Sequence, residues 1–399
     1  EVIVQVGGQT ALNLANQLED YGVKLLGTDS KTIDTLEDRE LFYQLLDELE
    51  IPHIQGYVAE NEVELEQYVN QIGYPVLIRP SYVIGGMGME TIYNDEAFQV
   101  YKKKDIPFPV LVDQFLQAKE AELDLAADGE HVLIPAVMEH IERTGVHSGD
   151  SMSVLPPQSL SKEVQNLMIK YGQLMVKKLG YKGLMNIQYI IDDNKVYLLE
   201  VNPRASRTVP IVSKVTAIPL VQEATKVLLG KQFFEKDQLP EDTKQTFVTV
   251  KYPVFSNYAL KGLDAKVGPE MKSTGEGIAL AATLPQALKK VFQLHGDKER
   301  SVLYSGELTD GIRKLAKESN TKLLDAQGAE LDETTVALYN PFTGDENQRM
   351  REWAVKNRLH TFSELESLEA YLLALTEKDW QAVAIEDWQK DNVKEVTIS

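Results

Sequence analysis

Two hydrophobic periods alternate along this chain, and each change of period predicts a new element. Residues 2–6, Val-Ile-Val-Gln-Val, form a β-branched run that predicts a buried strand, and 23–27 predicts its neighbour. Between them Leu12, Leu14 and Leu18 mark a helix over 11–21, with Thr10 as its cap. This β-α-β unit reads as about half of a doubly wound sheet. A helix follows over 38–50, stopped by Pro52.

From 54 to 229 the pattern is mixed α+β. Strands are predicted at 55–58, 75–80, 110–115, 120–127 and 132–139, and a helix at 61–72. The run Gly85-Gly86-Met87-Gly88-Met89 is a turn leading into a further strand at 90–93. A long amphipathic helix spans 161–179. Strands 184–191 and 195–201 form a hairpin around Asp192-Asp193-Asn194, and 216–229 is helical. Residues 231–245 are polar, contain Pro240 and read as a connector. A strand at 246–255 and a helix at 284–294 follow. After the turn Gly296-Asp297-Lys298 the pattern restarts. Strands at 301–304, 322–325 and 335–339 alternate with helices at 310–319, 347–357 and 363–376, which predicts a small separate α/β domain.

Composition narrows the class. A length of 399 residues suggests two or three domains. With 43% hydrophobic and 26% charged residues, the chain is neither disordered nor fibrous. No apolar run approaches membrane-spanning length. The absence of cysteine excludes disulfides, thiolate metal sites and a cysteine nucleophile, and it fits a reducing compartment. The formal charge of −20 disfavours nucleic acid and anionic membrane as partners. An anionic ligand therefore needs a locally basic site or a metal. The chain opens at Glu1 directly in a strand, without a charged leader, and reads as a fragment of something longer.

Chemistry concentrates in Leu198-Leu199-Glu200-Val201-Asn202-Pro203-Arg204-Ala205-Ser206-Arg207-Thr208. On a strand Glu200 and Asn202 share a face, and Gln188 on the other arm of the hairpin can meet them. One carboxylate and two amide oxygens are hard ligands suited to Mg²⁺ or Mn²⁺. Pro203 ends the strand. Arg204 and Arg207 follow with planar forks that suit phosphate and carboxylate oxygens. A solvated strand end with a surface ion pair is the plainer alternative, and spacing alone leaves both open.

Three other segments are weaker. Arg79 ends a strand and leads into the glycine-rich hairpin to Gly88, whose N–H groups can approach phosphate; glycines serving turn geometry alone would look the same. The hairpin is neither a P-loop nor a dinucleotide fingerprint. Residues 139–151 form a polar loop carrying His140 and His147 without metal-site spacing. Asp113-Gln114-Phe115-Leu116 followed by Glu120 suits an adenine pocket, with Glu120 on the ribose, or a plain sheet edge. Lys102-Lys103-Lys104 reads as a solvated helix end.

Together these segments resemble ATP-grasp enzymes and, more narrowly, the carbamoyl-phosphate synthase large-subunit family. The likeness is carried by residues 4–10 (Val-Gln-Val-Gly-Gly-Gln-Thr), 37–39, 78–83, 138–142, 145–151 (Gly-Val-His-Ser-Gly-Asp-Ser), 185–188, 200–210 and 268–276. It extends over about residues 1–295. That family carries two tandem ATP-grasp halves, the first phosphorylating bicarbonate and the second carbamate. Residues 82–90 and 268–276 resemble the second half. The resemblance implies an α/β and α+β architecture in three parts. Residues 1–40 would be part of a doubly wound domain preceding the ATP-grasp fold. Residues 41–298 would be the ATP-grasp carbamoyl-phosphate domain with its connector. Residues 299–399 would be a degenerate methylglyoxal-synthase-like regulatory domain.

The resemblance further implies that Arg79, Gln114, Leu116, Glu120, Gly145, Val146, His147, Ser148, Gln188 and Glu200 contact ATP. It implies that Gln188, Glu200 and Asn202 hold two Mg²⁺ or Mn²⁺ ions. Arg204 and Arg207 would meet carbamate and the transferred phosphoryl group, with Arg39 near the nucleotide. The implied partners are the substrates ATP and carbamate, the N-terminal half of the large chain and a glutaminase small subunit, in the cytoplasm, serving arginine or pyrimidine biosynthesis. The hairpin at 85–88 is the natural lid over easily hydrolysed carbamate. Residues 339–344 sit at the family's phosphate-binding turn. The preceding segment is shorter than the family's and the Thr/Lys-rich effector pocket is not evident, so strong binding of uridine or inosine monophosphate is not expected. Two rivals stand beside this: another ATP-grasp carboxylate–amine ligase, and a non-catalytic nucleotide-binding regulatory fragment. The first would not need residues 146–150 or the Arg204/Arg207 pair. The second would be expected to lose Glu200 or Asn202, and both are present.

Overall fold

The computed structural model describes residues 1–80, 88–231, 247–256, 262, 264–294, 299–327 and 332–377. The chain forms two compact units. One comprises Glu1–His147, Pro156–Thr243 and Pro269–Met271. The other comprises Ser148–Leu155, Lys244–Gly268 and Lys272–Ser399.

The first unit contains two antiparallel sheets. Strands β1 (Gly56–Ala59), β2 (Val76–Pro80), β3 (Glu90–Ile92) and β4 (Val110–Gln114) form the smaller, in the order β1-β4-β2-β3. Val76, Ile78, Val110 and Val112 pack against Leu65, Val69 and Phe98 of the helices Glu62–Ile72 and Asp95–Tyr101. Asn61 and Asn94 fix those helix starts by accepting backbone N–H bonds.

The larger sheet of this unit is built from β5 (Lys119–Asp128), β6 (Val132–Leu133), β7 (Val137–Arg143), β9 (Lys182–Asp192) and β10 (Lys195–Asn202); β8 (Ser153–Leu155) belongs to the other unit. Side chains alternate between its faces. Leu123, Leu125, Ile187 and Tyr189 share a core with Met168, Met175 and Val176 of the helix Lys162–Leu179. Burying each such side chain stabilises the fold by about 1.5–3 kcal/mol. The opposite face carries Glu120, Glu122 and Asp124 of β5 beside Asn186 and Gln188 of β9. The β9–β10 hairpin closes on Asp193 and Asn194, both at positive φ (45° and 65°), as a two-residue turn requires.

The amino-terminal elements depart from expectation. No strand forms over 2–6 or 23–27; Val2 and Leu25 share a single parallel bridge. Gly7 N–H donates to Val4 O and turns the chain away before a ladder can extend. The helix expected over 11–21 is two short ones, Gly8–Leu12 and Ala15–Asp20, so Thr10 lies inside the first and does not cap it. Asp38 caps Arg39–Glu48, and an unforeseen helix Ser30–Glu37 precedes it. Two further elements differ from expectation. Pro135 interrupts the strand expected over 132–139. The helix expected over 216–229 is Leu220–Leu228, and an unforeseen helix Val209–Thr216 ends before it, because Ala217 is left-handed (φ 58°) and Pro219 lacks an N–H to continue.

In the second unit β11 (Val248–Val254) pairs antiparallel with both β8 and β12 (Gly275–Ala281). Strands β13 (Arg300–Tyr304), β14 (Thr321–Asp325), β15 (Thr335–Tyr339) and β16 (His360–Phe362) form a parallel sheet ordered β14-β13-β15-β16. The alternation foreseen from Ser301 is present, with β16 as an addition too short to read from pattern. Residues 81–87 of the glycine-rich hairpin, the connector beyond Lys231 and the turn Gly296-Asp297-Lys298 lie outside the described residues.

Candidate active site

The β9–β10 hairpin sets the site through one irregularity. Leu198 stands opposite Tyr189 and Glu200 opposite Gln188, so Leu199 is an extra residue in β10. Without this bulge Glu200 would share the core-facing side of Leu198. With it, Glu200 and Asn202 turn to the polar face beside Gln188 and Asn186. Asn202 Nδ2 donates to Glu200 Oε1 at 3.0 Å. Arg204 NH2 donates to Asn202 Oδ1 at 3.1 Å, and its Nε to Gln9 Oε1 at 2.9 Å.

Gln5 braces the same region. Its Nε2 donates to Tyr181 OH at 2.9 Å, its Oε1 accepts Leu184 N–H, and its backbone O accepts Ala205 N–H. A Cβ on Gly183 would lie 1.7 Å from Gln5 Oε1, and Gly183 has φ +109°, so only glycine fits there.

A row of buried polar groups lies along β5. His140 sits between two carboxylates, with Nδ1 3.3 Å from Glu120 Oε2 and Nε2 3.2 Å from Glu122 Oε1. Burial opposes its charge, but the two glutamates outweigh burial and raise its pKa to about 9. Asn186 Nδ2 donates to Glu122 Oε2 and to Asp124 Oδ1, both at 3.0 Å. Asp124 also accepts Ser206 Oγ and Thr208 Oγ1, each at 2.6 Å. Burial, and then Glu122, push the Asp124 carboxyl up to about 6 against those donors.

A second charged group joins the small sheet to β10. Asp113 Oδ2 receives Arg39 NH2 at 3.0 Å and lies 3.4 Å from Arg79 NH2. Arg39 NH1 reaches Leu199 O at 3.5 Å. Burial and the neighbouring Arg39 lower the Arg79 pKa; Asp113 and Glu200 oppose them. Burial works against Arg39 too, but Asp113 and Tyr43 more than offset it and its pKa is raised.

The remaining expected residues occupy four places. Gln114 ends β4, its N–H on Gln55 O at 2.8 Å. Leu116 O accepts Thr144 Oγ1, Gly145 packs near Phe115, and Val146 is buried. His147 ends the first unit and Ser148 begins the second, where Ser148 O accepts Lys251 Nζ at 2.7 Å. Arg207 NH1 donates to Met271 Sδ at 3.0 Å. The structure thus brings Gln188, Glu200, Asn202 and Arg204 together, and joins Arg79 to Arg39 through Asp113.

Among the described residues no three His, Asp or Glu side chains gather as a metal-binding cluster. The expected donors are instead one carboxylate and amide oxygens, which suit a hard cation whose shell phosphate and water complete. Asn202 Oδ1 is engaged by Arg204.

Sequence reasoning left Asp113, Glu122, Asp124, His140 and Asn186 without roles. The acid row did carry a signal: Glu120, Glu122 and Asp124 recur at every second position of one strand.

Residues 38–236 match the family described as carbamoyl-phosphate synthase L chain, ATP binding domain. The chain is 44% identical over 400 residues to the carbamoyl phosphate synthase arginine-specific large chain of Geobacillus stearothermophilus, covering 97% of this chain and 38% of that one. For the Bacillus subtilis (strain 168) arginine-specific large chain the identity is 43% over 399 residues, covering 99% and 38%. The chain therefore spans well under half the length of these curated relatives. The biotin carboxylase domain of Hydrogenobacter thermophilus 2-oxoglutarate carboxylase, solved with MgADP, ADP and bicarbonate, superposes with TM-score 0.56 at 16% identity, over 71% of this chain and 70% of that one. The mixed α/β architecture is that of ATP-grasp proteins.

Proposed function

On the premise that this chain belongs to the carbamoyl-phosphate synthase large-chain family, we propose that it is the carbamoyl-phosphate half of such a large chain and phosphorylates carbamate with ATP. The observation that carries this is the bulge in β10, which turns Glu200 and Asn202 toward Gln188 beside Arg204.

In the proposed reaction a carbamate oxygen attacks the γ-phosphorus in line. The bond from that phosphorus to the bridging oxygen breaks, and its electron pair leaves on ADP. The chain has little covalent work to do; it positions both substrates and offsets developing charge. Arg79, with Gln114, Leu116, Glu120, Gly145, Val146 and His147, would bind the nucleotide. Gln188, Glu200 and Asn202 would hold two Mg²⁺ or Mn²⁺ ions, which supply charge neutralisation at the phosphoryl oxygens when bound. Arg204 would leave Asn202 and Gln9 to meet the acceptor, and Arg207 would leave Met271.

The N-terminal half of a large chain and a glutaminase subunit would complete the assembly, in the cytoplasm and in the arginine branch. The parallel sheet β13–β16 supports a methylglyoxal-synthase-like reading of residues 299–399. Two features support lost nucleotide control there: Lys322 is paired with Glu299 at 2.6 Å, and Arg351 is consumed inside the fold. The functional test is ATP formation from MgADP and carbamoyl phosphate by the purified chain. No ATP formed, despite bound nucleotide, would favour a regulatory fragment.

A further inference from the structure

Tyr43 belongs to no segment that the family resemblance singles out, yet it sits at the centre of the arginine group. Its OH donates to Asp113 Oδ1 at 3.3 Å. The Arg39 guanidinium carbon lies 4.6 Å from its ring centroid. The His53 ring stacks on it at 4.3 Å with 17° between planes. His53 is itself held, through Nε2 near Asp47 Oδ1 at 3.1 Å and Nδ1 near Ile54 O at 3.0 Å. Opposite Asp113 in the β1–β4 ladder stands Gly56, where a Cβ would come within 2.0 Å of Asp113 Oδ1 and 2.9 Å of Tyr43 OH. The backbone is thus kept clear for the Tyr43–Asp113 bond.

The hydrogen bonding in this group is incomplete, although Asp113 and Glu200 both act on the two arginines. Two half-buried guanidiniums share one oxygen of Asp113, and the Nε atoms of Arg39 and Arg79 are buried without hydrogen-bond partners. Buried N–H donors call for an acceptor, and guanidinium groups suit phosphate oxygens. We infer that Tyr43 is a positioning residue for the nucleotide: its ring and hydroxyl fix the Arg39 plane and Asp113, so that Arg39 and Arg79 keep their unpartnered N–H donors for a phosphate group. The inference rests on the nucleotide-site reading given above. Tyr43 touches neither substrate; it acts through Arg39 and Asp113.

The test is calorimetric titration of the full chain with MgADP. Tyr43→Leu removes both the ring contact and the hydroxyl and weakens binding about tenfold. Tyr43→Phe keeps the ring, and so the packing, and weakens binding about threefold with an unchanged melting temperature. In an Arg39→Ala chain, either change alters affinity by less than about twofold, because the group it positions is gone. In turnover the KM for ADP rises with little change in kcat. Parent-like binding by both variants overturns the inference, as does an equal loss in the Arg39→Ala background, which would make Tyr43 merely structural. A parent chain that binds no MgADP overturns the nucleotide-site reading itself, and this inference with it.

Discussion

Thr208 Oγ1 donates to Asp124 Oδ2 at 2.6 Å, joining two residues 84 positions apart in the chain. Ser206 Oγ holds the other oxygen of the same carboxylate. Arg207 stands between these two hydroxyls in sequence and Arg204 just before them, so the turn carrying both arginines is pinned to β5. Asp124→Asn offers an amide donor where the turn needs an acceptor. Carbamoyl phosphate turnover should fall about a hundredfold, the usual consequence of a misplaced catalytic group. MgADP affinity should stay within about twofold, since Asp124 is not among the proposed nucleotide contacts. Parallel turnover and calorimetry check this; equal losses in both would detach Asp124 from the acceptor side.

His140, between two carboxylates, gives stability a pH dependence whose sign follows from that placement. Its folded pKa is raised to about 9, against an ordinary 6.5, by Glu120 and Glu122 on either side. A raised folded pKa means stabilisation fully present below pH 6.5 and lost as pH rises through 9. Melting temperatures measured from pH 6 to 10 should decline across that window. His140→Gln should flatten the slope. An unchanged slope in that variant would assign the decline to other groups.

Asp264 and Arg351 lock the second unit. Arg351 Nε and NH2 meet the two Asp264 oxygens at 2.6 and 2.7 Å, and its NH1 reaches Phe342 O at 2.7 Å. Only 1% of the Arg351 side chain is exposed, so loss of its partner leaves a buried charge short of its counterion. Asp264→Ala should lower stability by about 3 kcal/mol, read by denaturant unfolding. Burial alone would raise the Asp264 pKa, but Arg351 outweighs it and the pKa is lowered. That stabilisation is present above the ordinary carboxylate range and lost as pH falls below it. A variant as stable as the parent at pH 7 would contradict the role given to this pair.

Much of this was legible in the sequence, and the exceptions have physical causes. The helices Glu62–Ile72 and Lys162–Leu179 were readable because Asn61 and Ser161 cap them and their apolar stripes are regular. The β9–β10 hairpin was readable from Asp193-Asn194 between apolar runs. The bulge at Leu199 was not, since a bulge is set by pairing with Tyr189 and Gln188 rather than by any local residue. Residues 2–6 look like a strand because Val and Ile favour one, but the turn at Gly7 and the side chain of Gln5 decide otherwise. The Glu120–His140–Glu122 and Asp124–Thr208 contacts join distant positions that no local period relates.

The most direct measurement is ATP formed from MgADP and carbamoyl phosphate by the purified parent chain and by its Glu200→Gln variant, with melting temperatures taken on both. Glu200 supplies the one carboxylate of the proposed metal set, and the amide keeps its shape while removing its charge. The parent should form ATP, and the variant should form none while melting as the parent does. ATP formation by Glu200→Gln at the parent's rate would contradict the assignment of this hairpin as the phosphoryl-transfer site.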